Sequence, residues 1–152
     1  MTTTVTTAPH LWSFFRTGGF DQVRIDSPAE LLALAELDQK LWVALSCPDN
    51  GIEFDAATLA MVDSDNDGRV RAAELIAAVR WVGERLKSHA ALAGDQPGVP
   101  GSAIRDDDEE GVAIAAAARA LLADLGKDGD APITVEQASA AHQRFAEKAV
   151  AA

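Results

Sequence analysis

Four acidic residues and a glycine near the middle of the chain are spaced as in a cation-binding loop. From position 63 the sequence reads DSDNDGRVRAAE, with carboxylates at loop positions one, three, five and twelve and glycine at position six. Ca²⁺ is a hard cation that takes about six to eight oxygen ligands, and alternating carboxylates in a tight turn can converge on one such ion. The spacing therefore predicts a calcium site within residues 63–74.

The loop positions also predict how each residue would coordinate the ion. Asp63, Asp65 and Asp67 would each supply a side-chain oxygen, and Glu74, at the start of the next helix, would supply two. After the glycine turn, Arg69 would contribute its backbone carbonyl rather than its side chain. These five residues are the predicted metal ligands.

The ninth loop position departs from the usual pattern. It is occupied by Arg71, which is positively charged and has no acceptor atom to hold a ligand water. Because the four acids of the loop also face two nearby arginines, Arg69 and Arg71, we expect a Ca²⁺ affinity in the range of sensors or weaker, with a dissociation constant on the order of 10⁻⁶ to 10⁻⁴ M. Mg²⁺ is a candidate competitor for the same oxygens.

This loop and its flanks resemble the EF-hand superfamily. The resemblance covers residues 63–74 and extends through the flanking segments to residues 55–88. It implies a helix–loop–helix unit that binds Ca²⁺ and is paired with a second unit of the same kind. A weaker resemblance, carried by residues 19–23 and 37–45, is to the opening segment of larger bacterial EF-hand proteins, which implies a bacterial source and supplies no catalytic residue.

The best candidate for the second unit is the segment 126–137. Gly126 stands where the first acid should be and Gln137 where the bidentate glutamate should be, so only Asp128 and Asp130 remain as acidic ligands. We interpret this segment as a degenerate pseudo-hand and a poor metal site, and the sequence leaves open whether it binds any metal.

The short strand expected at Val70 needs a partner for its backbone groups and its apolar side chain. Three segments are candidates: Ile133 in the pseudo-hand, residues 23–26 and residues 51–54. Each offers an apolar residue followed by a helix start, and the sequence leaves the alternatives open.

Apolar residues recur with helical spacing along most of the chain, which predicts an all-α fold. Ser27, Pro28 and Glu30 form a helix start signal, and the Gly/Pro-rich segment 93–101 favours a linker. Residues 11–26 are expected to form a loop. The five expected helices cover residues 28–46, 55–62, 72–88, 112–125 and 135–149.

The predicted organisation is a single helical domain, residues 11–152, after a disordered tail, residues 1–10. An extra N-terminal helix and the working hand occupy residues 11–89, and the pseudo-hand lies within residues 102–152.

The composition limits the classes of partner. With 24 acidic and 13 basic residues the formal charge is −11, so the chain should repel phosphate backbones and anionic lipid, and neither nucleic acid nor membrane is expected as a partner. The single cysteine, Cys47, has no partner in the chain for a disulfide. No leader-like segment is recognised in the sequence, so we expect a cytoplasmic protein.

No nucleophile motif or glycine-rich phosphate loop accompanies the acidic loop, so an enzyme is not expected. The favoured function is a calcium buffer or modest sensor. The alternative is an interaction or scaffold domain in which the metal is structural. A protein target is a candidate partner, and the sequence does not define the oligomeric state.

Overall fold

The computed structural model describes residues 10–42, 44–93 and 97–141. The predicted all-α fold is wrong, because these residues form three two-stranded antiparallel sheets in addition to helices. The fold is mixed α and β. Sheet pairing of two to four residues leaves no helical or alternating signature in the sequence, which is why the periodicity did not predict it.

The first sheet is a hairpin where a loop was expected. Strands β1 (Phe14–Thr17) and β2 (Phe20–Val23) are joined by Gly18 and Gly19, with φ of 59° and 86°. Two successive positive φ angles are what a tight two-residue hairpin turn requires, and glycine adopts them without steric cost.

The first helix begins where its start signal predicts. In α1 (Pro28–Leu32) the Ser27 hydroxyl accepts a hydrogen bond from the Glu30 backbone N–H at 3.3 Å. The Glu30 carboxylate accepts one from the Ser27 N–H at 2.9 Å. Both halves of the predicted capping box are therefore confirmed.

The predicted extent of this helix, residues 28–46, is wrong. The α-helix ends at Leu32, and the chain continues as two 3₁₀ turns, Ala33–Glu36 and Gln39–Leu41. The Asp38 carboxylate accepts the Lys40 N–H at 2.9 Å and so caps a new turn. Short polar side chains compete with helix continuation in this way.

The middle of the chain contains the predicted helix–loop–helix unit, preceded by an unpredicted strand. Its elements are β3 (Ser46–Pro48), α2 (Ala56–Val62), β4 (Arg69–Arg71) and α3 (Ala72–Arg85). Val70 is buried, as expected, but it lies opposite Cys47 in the β3–β4 sheet. All three predicted partners of Val70 are therefore wrong.

The C-terminal part repeats this order of elements. It consists of β5 (Val99–Pro100), a 3₁₀ turn (Gly101–Ala103), α4 (Glu109–Asp124), β6 (Pro132–Ile133) and a helix α5, described over residues 135–141. Ile133 pairs with Val99, so each loop strand pairs with the strand that precedes its own unit. The predicted end of the last helix, at residue 149, lies outside the described residues.

The buried core is small and centred on α4. Leu122 on this helix is completely buried. The other buried hydrophobic residues are Leu34, Leu37, Leu59, Val70, Leu86, Ala115, Ala118 and Leu121. These residues, all within the part of the chain that the structure describes, come from both repeated units and from the segment after α1.

The end of α3 is fastened to the start of α4, at a contact that we call the α3–α4 junction. Arg85 forms ion pairs with Asp108, at 2.9 Å, and with Glu110. The Trp81 indole N–H donates to Glu110 at 3.1 Å. Asp108 also accepts the Gly111 N–H and thereby caps α4. One acidic turn thus both begins α4 and holds α3.

Of the predicted tail, residues 1–9 lie outside the described residues. His10 is half-buried, its backbone N–H donates to Glu36 at 3.1 Å, and its ring lies edge-on to Trp12 with centroids 4.5 Å apart. Within the described ranges, no helix has the length and apolar character needed to cross a membrane.

Candidate metal centre

The predicted calcium loop is fixed at both ends by secondary structure. Residue Asp63 directly follows α2, and its backbone N–H donates to the Leu59 carbonyl at 2.9 Å. On the far side, β4 pairs with β3, and the Asp49 N–H donates to the Gly68 carbonyl at 3.2 Å. The loop therefore cannot open without breaking the β3–β4 sheet.

Three of the predicted ligands come together. Carboxylate oxygens of Asp63, Asp65 and Asp67 lie within 4.8 Å of one another. Among residues 10–42, 44–93 and 97–141, this is the only group of three or more histidine, cysteine or acidic side chains arranged to share an ion. We call it the aspartate cluster.

Asp63 organises the backbone of the loop. This residue is only 4% exposed, and its carboxylate accepts the Asp67 N–H at 3.2 Å and the Gly68 N–H at 2.9 Å. Gly68 has a φ of 83° and Asn66 a φ of 56°. Glycine and, among other residues, asparagine tolerate this left-handed region. The tight turn predicted at Gly68 is therefore present.

Glu74 closes the loop through hydrogen bonds instead of joining the aspartate cluster. One oxygen accepts the Ser64 N–H at 2.8 Å and its hydroxyl at 2.9 Å, and the other accepts the Arg71 N–H at 2.9 Å. These bonds, that from Arg71 first, lower the pKa of Glu74 below its usual value. The side chain joins the start of the loop to the start of α3.

The two arginines of the loop differ in their contacts. The Arg69 side chain turns away to donate to the Ser46 hydroxyl on β3, at 2.8 Å. Arg71 instead pairs with the aspartate cluster: Nη1 lies 3.3 Å from Asp65 Oδ2, and Nη2 donates to Asp67 Oδ2. The sequence places Arg71 near these acids but does not specify which carboxylates its side chain pairs with.

The aspartate cluster carries unbalanced negative charge. The pKa of Asp65 is raised, first by desolvation and then by the negative charge of Asp67, while Arg71 acts in the opposite direction. A group of carboxylate oxygens on one side of a tight turn is the donor set that hard divalent cations prefer. The aspartate cluster could therefore hold a metal ion, with Asp63, Asp65 and Asp67 as the side-chain donors.

The second loop, residues 126–137, repeats the local hydrogen bonds of the first. Asp128 accepts the N–H of Asp130 at 3.0 Å, and Gln137 accepts the N–H of Thr134 at 3.1 Å. Asp65 and Glu74 make the equivalent bonds, to Asp67 and Arg71, in the first loop.

The carboxylate of Asp130 accepts two hydrogen bonds from the 3₁₀ turn that follows β5. It accepts the Ser102 N–H at 2.7 Å and the Ser102 hydroxyl at 2.9 Å, and these two bonds lower its pKa. No pattern in the sequence singles out Ser102. Both oxygens of the acid at the fifth position of the second loop thus accept hydrogen bonds from Ser102, and the interpretation of this loop as a pseudo-hand stays a prediction.

Comparison of the chain with protein-family models, with curated proteins and with solved structures finds no match. The assignment of the first loop therefore depends on its own residues and their geometry.

Proposed function

We propose that this protein binds one Ca²⁺ ion through residues 63–74 and acts in the cytoplasm as a calcium buffer or modest sensor of the EF-hand kind. The proposed ligands are the side chains of Asp63, Asp65, Asp67 and Glu74 and the carbonyl of Arg69. The observation that carries the proposal is the convergence of the three aspartate carboxylates within 4.8 Å.

Two further features support this function. The backbone of the loop is preorganised, since the buried Asp63 already holds the turn at Gly68, and preorganisation lowers the cost of ordering a ligand set. Glu74 lies at the start of α3. Because Glu74 now bonds Ser64 and Arg71, bidentate coordination would require its side chain to change partners, which would couple the ion to the start of that helix.

A second candidate function is an interaction or scaffold domain in which the metal is structural. It is favoured by the small core and by large apolar side chains on the surface, among them Phe20, Phe54 and Met61, which are at least 60% exposed. Because few hydrophobic side chains of the described residues are buried, the free energy of metal binding would form a large share of the stability of the fold.

Calorimetric titration of metal-stripped protein with Ca²⁺, in about 1 mM Mg²⁺, tests the main proposal. We expect one site with a dissociation constant on the order of 10⁻⁶ to 10⁻⁴ M. Glu74→Gln should weaken binding by at least about tenfold, because it removes a formal charge and one of two coordinating oxygens. Glu84→Gln, an exposed change on the same helix, is the matched control and should leave binding as in the wild type.

Melting curves with chelator and with Ca²⁺ separate the two functions. For a site of about 10 µM, about 1 mM Ca²⁺ adds about 2.7 kcal/mol, or about 5–10 °C in a chain of this size. A cooperative melt in chelator supports the buffer or sensor, whereas a chain that is unfolded without metal supports the structural role. Absence of binding by the wild type would refute both.

A further inference from the structure

Arg71 places a positive charge against the aspartate cluster. Its guanidinium uses one nitrogen for Asp65 Oδ2, at 3.3 Å, and the other for Asp67 Oδ2. Its backbone is fixed in β4, opposite Ser46, and its N–H is held by Glu74. The side chain is thus a cation tethered beside two of the three clustered carboxylates.

We propose that Arg71 is a built-in competitor of the metal ion, which sets the calcium affinity of the loop by occupying the carboxylates that the ion needs. This inference depends on the calcium-binding function proposed above. It assigns to Arg71 a regulatory role that goes beyond its lack of an acceptor atom at loop position nine.

The contacts of Asp65 show why the two cations compete. Its Oδ2 is paired with Arg71, and its Oδ1 accepts the Asp67 N–H at 3.2 Å. Both oxygens are therefore engaged by protein donors. An ion that binds Asp65 must share or displace one of these donors, and the guanidinium is the one that carries a like charge.

Arg71 should consequently have opposite effects on the two states of the loop. Without metal, it partly neutralises the charges of Asp65 and Asp67 and stabilises the fold. With Ca²⁺ bound, the same charge faces a divalent cation and these ion pairs are lost. A residue with a purely structural role would affect both states in the same direction.

The experiment compares Arg71→Ala with Arg105→Ala and Arg71→Lys. Arg105 is a matched control, because its side chain is 44% exposed, like that of Arg71. It also forms an ion pair with an aspartate, Asp107, but this pair lies far from residues 63–74 in the sequence. Calcium affinity is measured by calorimetry, and melting temperature is measured in chelator and in saturating Ca²⁺.

We expect Arg71→Ala to bind Ca²⁺ about two- to thirtyfold more tightly than the wild type, the range that corresponds to the loss of two exposed ion pairs. The variant should melt at a lower temperature in chelator, and its gain in melting temperature on adding Ca²⁺ should be larger. Arg71→Lys, which keeps the charge, should stay closer to the wild type, and Arg105→Ala should leave the affinity within about twofold.

Failure of this inference can be distinguished from failure of the proposed function. If the wild type binds Ca²⁺ and Arg71→Ala binds it with the same affinity, Arg71 is not a competitor although the loop is a calcium site. The same conclusion follows if Arg71→Ala lowers both melting temperatures equally. If neither chain binds Ca²⁺, the calcium function is itself refuted, and the role of Arg71 with it.

Discussion

The substitution Asp63→Asn tests whether a buried carboxylate, rather than a bound ion alone, holds the loop together. In the structure, the two oxygens of this side chain accept separate backbone N–H groups, from Asp67 at 3.2 Å and from Gly68 at 2.9 Å. An asparagine keeps one acceptor, but its NH₂ group must then face a second N–H. One charge-assisted hydrogen bond is lost, which costs about 1.5–3 kcal/mol at a buried position.

The assay is thermal melting in chelator, where metal binding makes no contribution. At about 2–4 °C per kcal/mol for a chain of this size, Asp63→Asn should lower the melting temperature by about 3–12 °C.

Asp65→Asn is the comparison variant. Asp65 is exposed, and its pKa is raised first by desolvation and then by the charge of Asp67, which together outweigh the pairing with Arg71, so Asp65→Asn should leave the melting temperature unchanged or higher. Both variants should weaken Ca²⁺ binding. If Asp63→Asn melts in chelator at or above the wild-type temperature, repulsion within the aspartate cluster outweighs the two backbone hydrogen bonds, and the reasoning is refuted.

Two further predictions concern the second unit. Leu122→Ala, at a completely buried position, should cost about 2.7–5 kcal/mol in chemical denaturation, whereas Leu11→Ala, at a side chain 91% exposed, should change stability by less than about 0.5 kcal/mol; equal effects would place the core elsewhere. The pKa of Asp130 is lowered by Ser102, so this pair stabilises the fold above the ordinary aspartate pKa and ceases to do so as the pH falls through the lowered value. Asp130→Asn should therefore reduce the loss of melting temperature between about pH 7 and pH 3, and an unchanged pH profile would show that the pair does not contribute.

Features encoded by neighbouring residues could be predicted from the sequence. The capping box of Ser27 and Glu30 and the turn at Gly68 both involve residues within a few positions of one another. In each case the backbone donors and the side-chain acceptor are set by spacing alone. The convergence of the three aspartates belongs to the same class.

Features that depend on distant segments could not be predicted in this way. Val70 pairs with Cys47, and Ile133 pairs with Val99, across strands of two or three residues. Strands this short carry no periodic signal, and the many apolar residues of the chain offer several equivalent partners. The sequence therefore correctly indicated that Val70 is buried but led to three wrong partners for it.

The first helix shows how local chemistry can override periodicity. Leucines at helical spacing favoured a helix through residue 46, but the Asp38 carboxylate caps the turn at Lys40 and Leu37 is extended. The α-helix has already ended at Leu32, and the 3₁₀ turn that follows buries Leu34, with Leu37 buried directly after it. The early end of α1, the 3₁₀ turns after it and the short sheets together make the fold mixed α and β.

The α3–α4 junction connects the C-terminal end of α3 to the second unit. The helix starts at the end of the loop that carries the aspartate cluster and spans 14 residues, or about 21 Å. A rotation of about 10° at its first residue would move its last by about 4 Å, more than the length of the Arg85–Asp108 ion pair. A rotation of α3 as a rigid body would therefore either break the α3–α4 junction or move α4 together with α3. The helix that would supply one ligand of a bound ion is thus also the helix that would transmit a displacement to the second unit.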